Sequence, residues 1–451
     1  SEKVKDAVKW GLDFHLINHP LDCPICDQAG ECGLQEQYME YGKYDSEMAE
    51  RKVKKHKVVD LGPTVVLDSE RCILCSRCVR FTTEVSKTDE LGIFNRGDRS
   101  EIGTHDGKPL DNPYSLNTVD ICPVGALTSK DFRFRQRVWY LKNEKTICPG
   151  CSTGCSVNVY FNKEGFFRVK PSPNPQVNGY WMCDEGRQVY KFLNKEFRQE
   201  MAIHQTTAGT QELFPGQAAK SLKSEIDLAK GGIAVVLTGQ YTTEEYETLV
   251  TSAVKQWGTK NIFHWVNNSE SFGSFDGLLI RGDKNPNTQG LRKVLEKHDI
   301  TSTWGDLENQ LKVGKVKLLI VAGPENLKVY PDLEAKLKLF SQALKLVWLS
   351  SAKTLGLGSF TKEFWHIPMK TFVEKSGTFV NHSGLEQKIT KITTVISQAL
   401  TLAEAADLMS GREYQIPETE QALFVEAHRR VDQVMKENAK KNEFLYKRGT
   451  L

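Results

Sequence analysis

The chain holds 451 residues, 39% of them hydrophobic and 26% charged, with a formal net charge of +3. That length suits roughly two to four domains, and no apolar run approaches the about 18 residues of a membrane-spanning helix. The opening Ser1-Glu2-Lys3-Val4-Lys5 lacks the apolar segment of a secretory signal. The small net charge argues against nucleic acid as a partner, and the basic run over 51–57 (RKVKKHK) reads as a solvated loop.

In chain order, Val4, Val8, Leu12 and Leu16 recur at helical spacing, and Trp10, Phe14 and Ile17 widen the apolar stripe. His19-Pro20 ends that helix. Residues 33–56 read as a helix followed by a charged loop, and 58–67, with Gly62-Pro63, as a short strand pair. The Gly-, Asp- and Asn-rich stretch over 92–113 predicts loops. Residues 138–140, 157–161 and 166–169 predict a small antiparallel sheet. After about residue 215 the texture becomes α/β. Apolar runs at 233–237, 316–323 and 346–349 alternate with helices near 244–257 and 332–343, the pattern of a parallel, doubly wound sheet. Gly231-Gly232 precedes its strand instead of following it, so it reads as a turn and not as a dinucleotide fingerprint. A charged amphipathic helix is predicted over 418–441. Domains are expected at 1–56, 57–136, 137–200 and 215–415, with a C-terminal helix and tail over 416–451.

All eleven cysteines fall between Cys23 and Cys183. A disulfide framework would spread its cysteines and pair them; an odd number confined to one part of the chain points to reduced thiols that bind metal. They fall into three sets. His19, Cys23, Cys26 and Cys32 form the first, Cys72, Cys75 and Cys78 with the distant Cys122-Pro123 the second, and Cys148, Cys151 and Cys155 with Cys183 the third. Three sets of four use all eleven cysteines plus His19, with none left over. A tight cysteine triplet wraps three corners of a cubane and a distant Cys-Pro closes the fourth. Structural zinc is the alternative, because four cysteines, or three cysteines with one histidine, are ordinary zinc sets. Three-plus-one spacing favours [4Fe–4S] clusters for the second and third sets. By spacing alone the first stays open between the two metals, and His19 taken alone would read as a helix-terminal capping residue.

With these residues in view, 16–37 (LINHPLDCPICDQAGECGLQEQ), 71–81 (RCILCSRCVRF) and 119–130 (VDICPVGALTSK) closely resemble the large iron–sulfur subunit family, the G subunit in bacteria, of NADH:quinone oxidoreductase (respiratory complex I). Residues 146–160 (TICPGCSTGCSVNVY), 179–187 (GYWMCDEGR) and 373–387 (VEKSGTFVNHSGLEQ) resemble molybdopterin oxidoreductases. The resemblance resolves the first set in favour of iron. It implies an α+β cluster-binding N-terminal region, a small β-rich cluster domain and a degenerate molybdopterin-oxidoreductase-like doubly wound α/β domain. It also implies electron relay through three [4Fe–4S] clusters from a flavin/NADH-binding subunit toward quinone. Further partners would be [2Fe–2S] proteins and quinone-module subunits, with membrane contact only through partners at the cytoplasmic face. No flavin on this chain and no catalytic side chain is expected, and the isolated chain is not expected to be catalytic. Two departures stand out. The family's N-terminal [2Fe–2S] domain does not appear in this sequence, which is read either as a fragment that starts after that domain or as a chain whose [2Fe–2S] domain is a separate polypeptide; and no cysteine follows Cys183, so neither molybdenum nor pterin is expected. Mitochondrial members lack the third set, which points to a bacterial source. The alternatives are a diaphorase subunit of a NAD-reducing hydrogenase or formate dehydrogenase, and a catalytic molybdopterin oxidoreductase.

Overall fold

A computed structural model describes residues 1–43, 49–267, 270–353 and 362–413; the helix expected over 418–441 lies outside them. At the N-terminus α1 (Glu2–Leu16) packs on α2 (Gly33–Tyr41). Helix α1 buries only Leu12; Val4 and the stacked pair Trp10 and Phe14 face outward, while Val8 and Leu16 are half-buried.

The next lobe has a three-stranded antiparallel sheet of β1 (Val59–Asp60), β2 (Val65–Leu67) and, from further along, β5 (Leu127–Ser129). Between them lie α3 (Arg77–Arg80), the hairpin β3 (Leu91–Phe94) and β4 (Glu101–Thr104), and α4 (Asn117–Ile121). The hairpin occupies the stretch expected to be loops. A small antiparallel sheet follows, of β6 (Lys142–Ile147), β7 (Ser156–Asn162) and β8 (Gly165–Pro171), then the short α5 (Asp184–Arg187). Val138–Tyr140 is a 3₁₀ turn outside that sheet. The strand expected there is instead β6, whose first four residues (Lys-Asn-Glu-Lys) are exposed.

The last unit is a seven-stranded mixed sheet. Its strands are the hairpin β9 (Ala202–Thr206) and β10 (Gly209–Leu213), then β11 (Ile233–Leu237), β12 (Ile262–His264), β13 (Leu318–Ala322), β14 (Lys345–Ser350) and β15 (Glu363–Pro368), in the order β10-β9-β15-β14-β13-β11-β12. From β15 to β12 all neighbours are parallel, and β9 joins β15 antiparallel. The sheet therefore begins before residue 215, where the α/β domain was expected to start. Alternate residues face opposite layers. Val235, Ile320 and Val347 pack under α6 (Pro215–Leu228), α7 (Thr243–Lys255), α8 (Thr288–Lys297) and, from the chain's end, α11 (Leu402–Met409). Val236, Val321 and Leu346 pack under α9 (Trp304–Lys312) and α10 (Leu333–Phe340). From β11 the chain runs to β12 on one side and reaches β13 on the other, a topological switch point. The hairpin β16 (Gly377–Val380) and β17 (Glu386–Ile389) reaches back to the third cysteine set. Gly231, at φ +81°, sits in a turn before β11, as the sequence predicts.

Candidate metal centres

The first expected set comes together around a cavity of about 290 Å3 whose lining includes His19, Cys23, Cys26 and Cys32. A turn after α1 carries the middle pair, with the Cys26 amide donating to the Asp22 carbonyl at 2.7 Å. Cys32 stands at the N-cap of α2. Burial, reinforced by the charges of Arg71 and Lys52, lowers the His19 pKa to about 4, so its imidazole is neutral and able to ligate. Its Nδ1 is buried without a hydrogen-bond partner. Burial raises the Cys26 and Cys32 thiols. Arg71 also lines this cavity, although it precedes Cys72 of the second set and bonds Asp22 at 3.1 Å.

The second set, Cys72, Cys75, Cys78 and Cys122, lines an apolar cavity of about 350 Å3. Leu74 and Ser76 take left-handed backbone (φ 55° and 57°), which folds the triplet loop back on itself. The Leu74 amide points at the Cys72 Sγ at 3.4 Å. Pro123 sends the chain away from α4 in extended conformation at Cys122. Burial, with the neighbouring thiols, raises Cys72 to about 11 and Cys78 to about 12.

The third set, Cys148, Cys151, Cys155 and Cys183, is wholly buried around a cavity of about 360 Å3. The triplet forms the turn between β6 and β7, closed by the Cys148 amide donating to the Cys155 carbonyl at 2.8 Å. Cys183 caps α5, its Sγ accepting from the Gly186 amide at 3.3 Å. A β-carbon on Gly186 would lie 3.2 Å from the Cys148 Sγ and 3.3 Å from the Cys183 Sγ, so a side chain there would press into the cavity. Burial first, then the Cys151 thiol, lifts Cys183 to about 12.

These raised thiols share a cause. Thiolates gathered in a dry cavity repel one another and lack solvent, and bound metal supplies the missing positive charge. The donor sets, the Leu74 and Gly186 amides directed at ligand sulfurs and the neutral histidine all fit a thiolate-ligated metal group. Among the described residues, no three His, Cys, Asp or Glu side chains converge closely enough to hold one ion.

The three centres are tied to one another. Arg168 grips Glu31, next to Cys32, through two bonds of 2.8 and 2.7 Å, its guanidinium 4.3 Å from the centroids of both the Phe132 and Tyr160 rings. Lys170 stands 3.5 Å from both Glu31 and Asp120, and Arg187 pairs with Asp120. Phe81, three residues past Cys78, meets Trp181 edge-on at 4.9 Å. Sequence reasoning missed Arg71, Glu31, Arg168, Leu279 and Lys284, the last two lining the third cavity. Only Arg71 and Glu31, each beside a cysteine, carried a local signal.

Three protein families match consecutive parts of the chain. They are the NADH-ubiquinone oxidoreductase-G iron-sulfur binding region at 11–47, the NADH-quinone oxidoreductase subunit 3 ferredoxin-like domain at 62–128, and the molybdopterin oxidoreductase Fe4S4 domain at 141–195. The G subunit of NADH-quinone oxidoreductase from Streptomyces coelicolor is 37% identical over 245 residues, 54% of this chain and 29% of that protein. The mitochondrial NADH dehydrogenase [ubiquinone] iron-sulfur protein 1 of Solanum tuberosum is 36% identical over 262 residues, 58% of this chain and 35% of that one. The G subunit from Rickettsia typhi is 33% identical over 258 residues, 57% of this chain and 38% of that one. The match thus spans about a third of each relative's length. In its cluster-binding portion, the chain is similar to the G subunits of NADH-quinone oxidoreductases.

Proposed function

We propose that the chain is an electron-transfer subunit of an NADH:quinone oxidoreductase. It would hold three [4Fe–4S] clusters on His19/Cys23/Cys26/Cys32, Cys72/Cys75/Cys78/Cys122 and Cys148/Cys151/Cys155/Cys183. The observation that carries this reading is that each set of four donors lines one cavity of its own. Zinc would draw four donors to within about 2.3 Å of a single point, whereas among the described residues no three such donors converge closely enough for one ion; a cubane instead takes a thiolate at each corner. Bound clusters supply one-electron carriage. The chain's own part is to bury the cubanes, point amides of Leu74, Gly150 and Gly186 at ligand sulfurs, and fix the centres relative to one another.

On this reading a flavin-bearing partner oxidises NADH, and further [2Fe–2S] and quinone-module partners complete the path. Membrane contact at the cytoplasmic face would come through those partners; among the described residues no helix is long and apolar enough to cross a membrane. The α/β domain would take neither molybdenum nor pterin. The crevice at its switch point is filled by its own side chains, with the Lys375 ammonium 2.9 Å from Glu245, 3.2 Å from Glu325 and 4.7 Å from the Tyr241 ring centre.

Anaerobic reconstitution with iron and sulfide tests the reading. About twelve of each per chain are expected, and stoichiometric zinc with little sulfide would overturn it. The reconstituted chain alone should not be bleached by NADH; bleaching without an added flavoprotein would refute the division of labour.

A further inference from the structure

The third cavity is not closed by its own cluster domain. Leu279 and Lys284, from the loop between β12 and α8 of the α/β domain, form part of its wall. That loop is held firmly. The Asp283 carbonyl accepts from the Ser152 amide at 2.9 Å, inside the cysteine triplet. The Asp283 carboxylate accepts from the Asn285 amide at 3.2 Å and the Thr288 hydroxyl at 3.0 Å. The Lys284 amide donates to Asn267 Oδ1 at 3.3 Å. From the opposite side the β16–β17 hairpin grips the same triplet, with the His382 amide on the Ser152 carbonyl at 2.8 Å and Gln387 Nε2 on the Gly154 carbonyl at 2.9 Å.

Among the residues lining this cavity, Lys284 and Glu185 are the only ones besides the cysteines with ionisable side chains. They pair with each other, the Lys284 side chain 21% exposed and Glu185 47%. Burial opposes the Lys284 charge, but Glu185 and the thiols of Cys151 and Cys183 outweigh it. The ammonium is thus fixed by a foreign domain beside a group whose negative charge grows on reduction.

The geometry points to Lys284 as the residue through which the α/β domain sets the reduction potential of the Cys148/Cys151/Cys155/Cys183 centre, with Glu185 opposing it. This rests on the reading that the centre holds an iron–sulfur cluster. A cation nearby stabilises the reduced, more negative cluster and raises its potential; an anion does the reverse. The domain would then serve as an electrostatic wall as well as a clamp.

The test is redox-poised EPR of the full reconstituted chain, comparing the wild type with Lys284→Met, Lys284→Arg and Glu185→Gln, alongside iron and sulfide counts. At the wild-type midpoint, Lys284→Met should shift the oxidised-to-reduced ratio about tenfold toward oxidised, equal to about 59 mV for one electron. Glu185→Gln should shift it toward reduced, Lys284→Arg should stay near wild type, and the other two centres should not move. A merely structural Lys284 would lower cluster occupancy without opposite shifts in the two variants. Unchanged midpoints with full iron content overturn the assignment. If Lys284→Met does not load, Glu185→Gln alone decides by the sign of its shift. A wild-type chain without a third cluster signal overturns the underlying reading itself, which the iron count reports separately.

Discussion

A β-carbon built on Gly125 would stand 2.2 Å from the Cys26 Sγ, so the loop that closes the second centre forms a wall of the first. The same loop's Pro123 carbonyl receives the Gly33 amide at 3.2 Å and the Cys32 thiol at 3.7 Å. Gly125→Ala therefore acts across centres. The methyl has no room unless Cys26 moves, while Cys122, three residues earlier, keeps its place. The expected outcome is loss of the first centre, about four of twelve irons, with the EPR signal of the second intact. Equal loss from both centres, or from neither, would contradict this shared wall.

On the proposed reading, His19 is the one neutral donor among the twelve. Replacing it by cysteine puts an anionic thiolate where a neutral imidazole stood, making the cluster more negative and harder to reduce. In Rieske centres the opposite exchange of cysteine for histidine raises the potential. His19→Cys should lower the midpoint of the first centre alone in redox-poised EPR. An unchanged midpoint in a fully loaded cluster would mean that His19 only stands beside it.

Which parts of this were readable from the chain follows from how local each feature is. Strands 233–237 and 318–322 are buried on both faces, so they had to be unbroken apolar runs. The cysteine triplets are local because a short loop must wrap three cubane corners. By contrast β6 hides behind exposed Lys142, Asn143, Glu144 and Lys145, and Val138–Tyr140 imitates a strand while lying in a turn with Trp139 and Tyr140 exposed. The hairpin of β9 and β10 is polar because it forms the sheet's edge. Part of the basic run over 51–57 is internal wiring. Lys52 bonds the Leu16 and Ile17 carbonyls, and Lys57 bonds Asp22 at 2.6 Å. Gly125 and Lys284 carry no sequence signal because their meaning depends on cysteines about a hundred residues or more away, brought near only by packing.

The α/β domain has its own acid-sensitive element. Glu374 and Arg198 are both fully buried, 2.7 Å apart, with Glu374 also accepting from the amides of Thr371, Val395 and Ile396. Burial would raise its pKa, but Arg198 and those amides prevail and hold it below the usual carboxylate value. A depressed folded pKa contributes stability that is present above the unfolded value, about 4.3. That contribution is lost as pH falls through the folded pKa. Tryptophan-fluorescence melts of the domain should show stability falling below about pH 4.3. Glu374→Gln should lose that component of the acid slope and be destabilised at neutral pH by about 3–5 kcal/mol, because Arg198 is left buried without its partner. An unaltered acid slope in the variant would assign the acid sensitivity to other carboxylates.

The last expectation separates the second centre from the third. The third is wholly buried, clamped between the 279–285 loop and the β16–β17 hairpin, and faces a domain whose switch-point crevice is filled by Tyr241, Glu325 and Lys375. On our reading that crevice has no pterin to exchange electrons with. What the centre then supplies is folding free energy, since four metal bonds tie the β6–β7 turn to Cys183 and, through Asp283, to the α/β domain. The second centre stands in the ferredoxin-like lobe on the proposed path from flavin to quinone. Cys183→Ala and Cys75→Ala remove one ligand each, so they are matched perturbations of different roles. Measured as NADH-to-quinone rate per assembled complex, Cys183→Ala should lower the yield of complex and leave the rate per complex near normal. Cys75→Ala should abolish the rate in whatever assembles. A Cys183→Ala complex that assembles fully and yet fails to turn over would place the third centre on the main path, with its clamp serving electron transfer as well as stability.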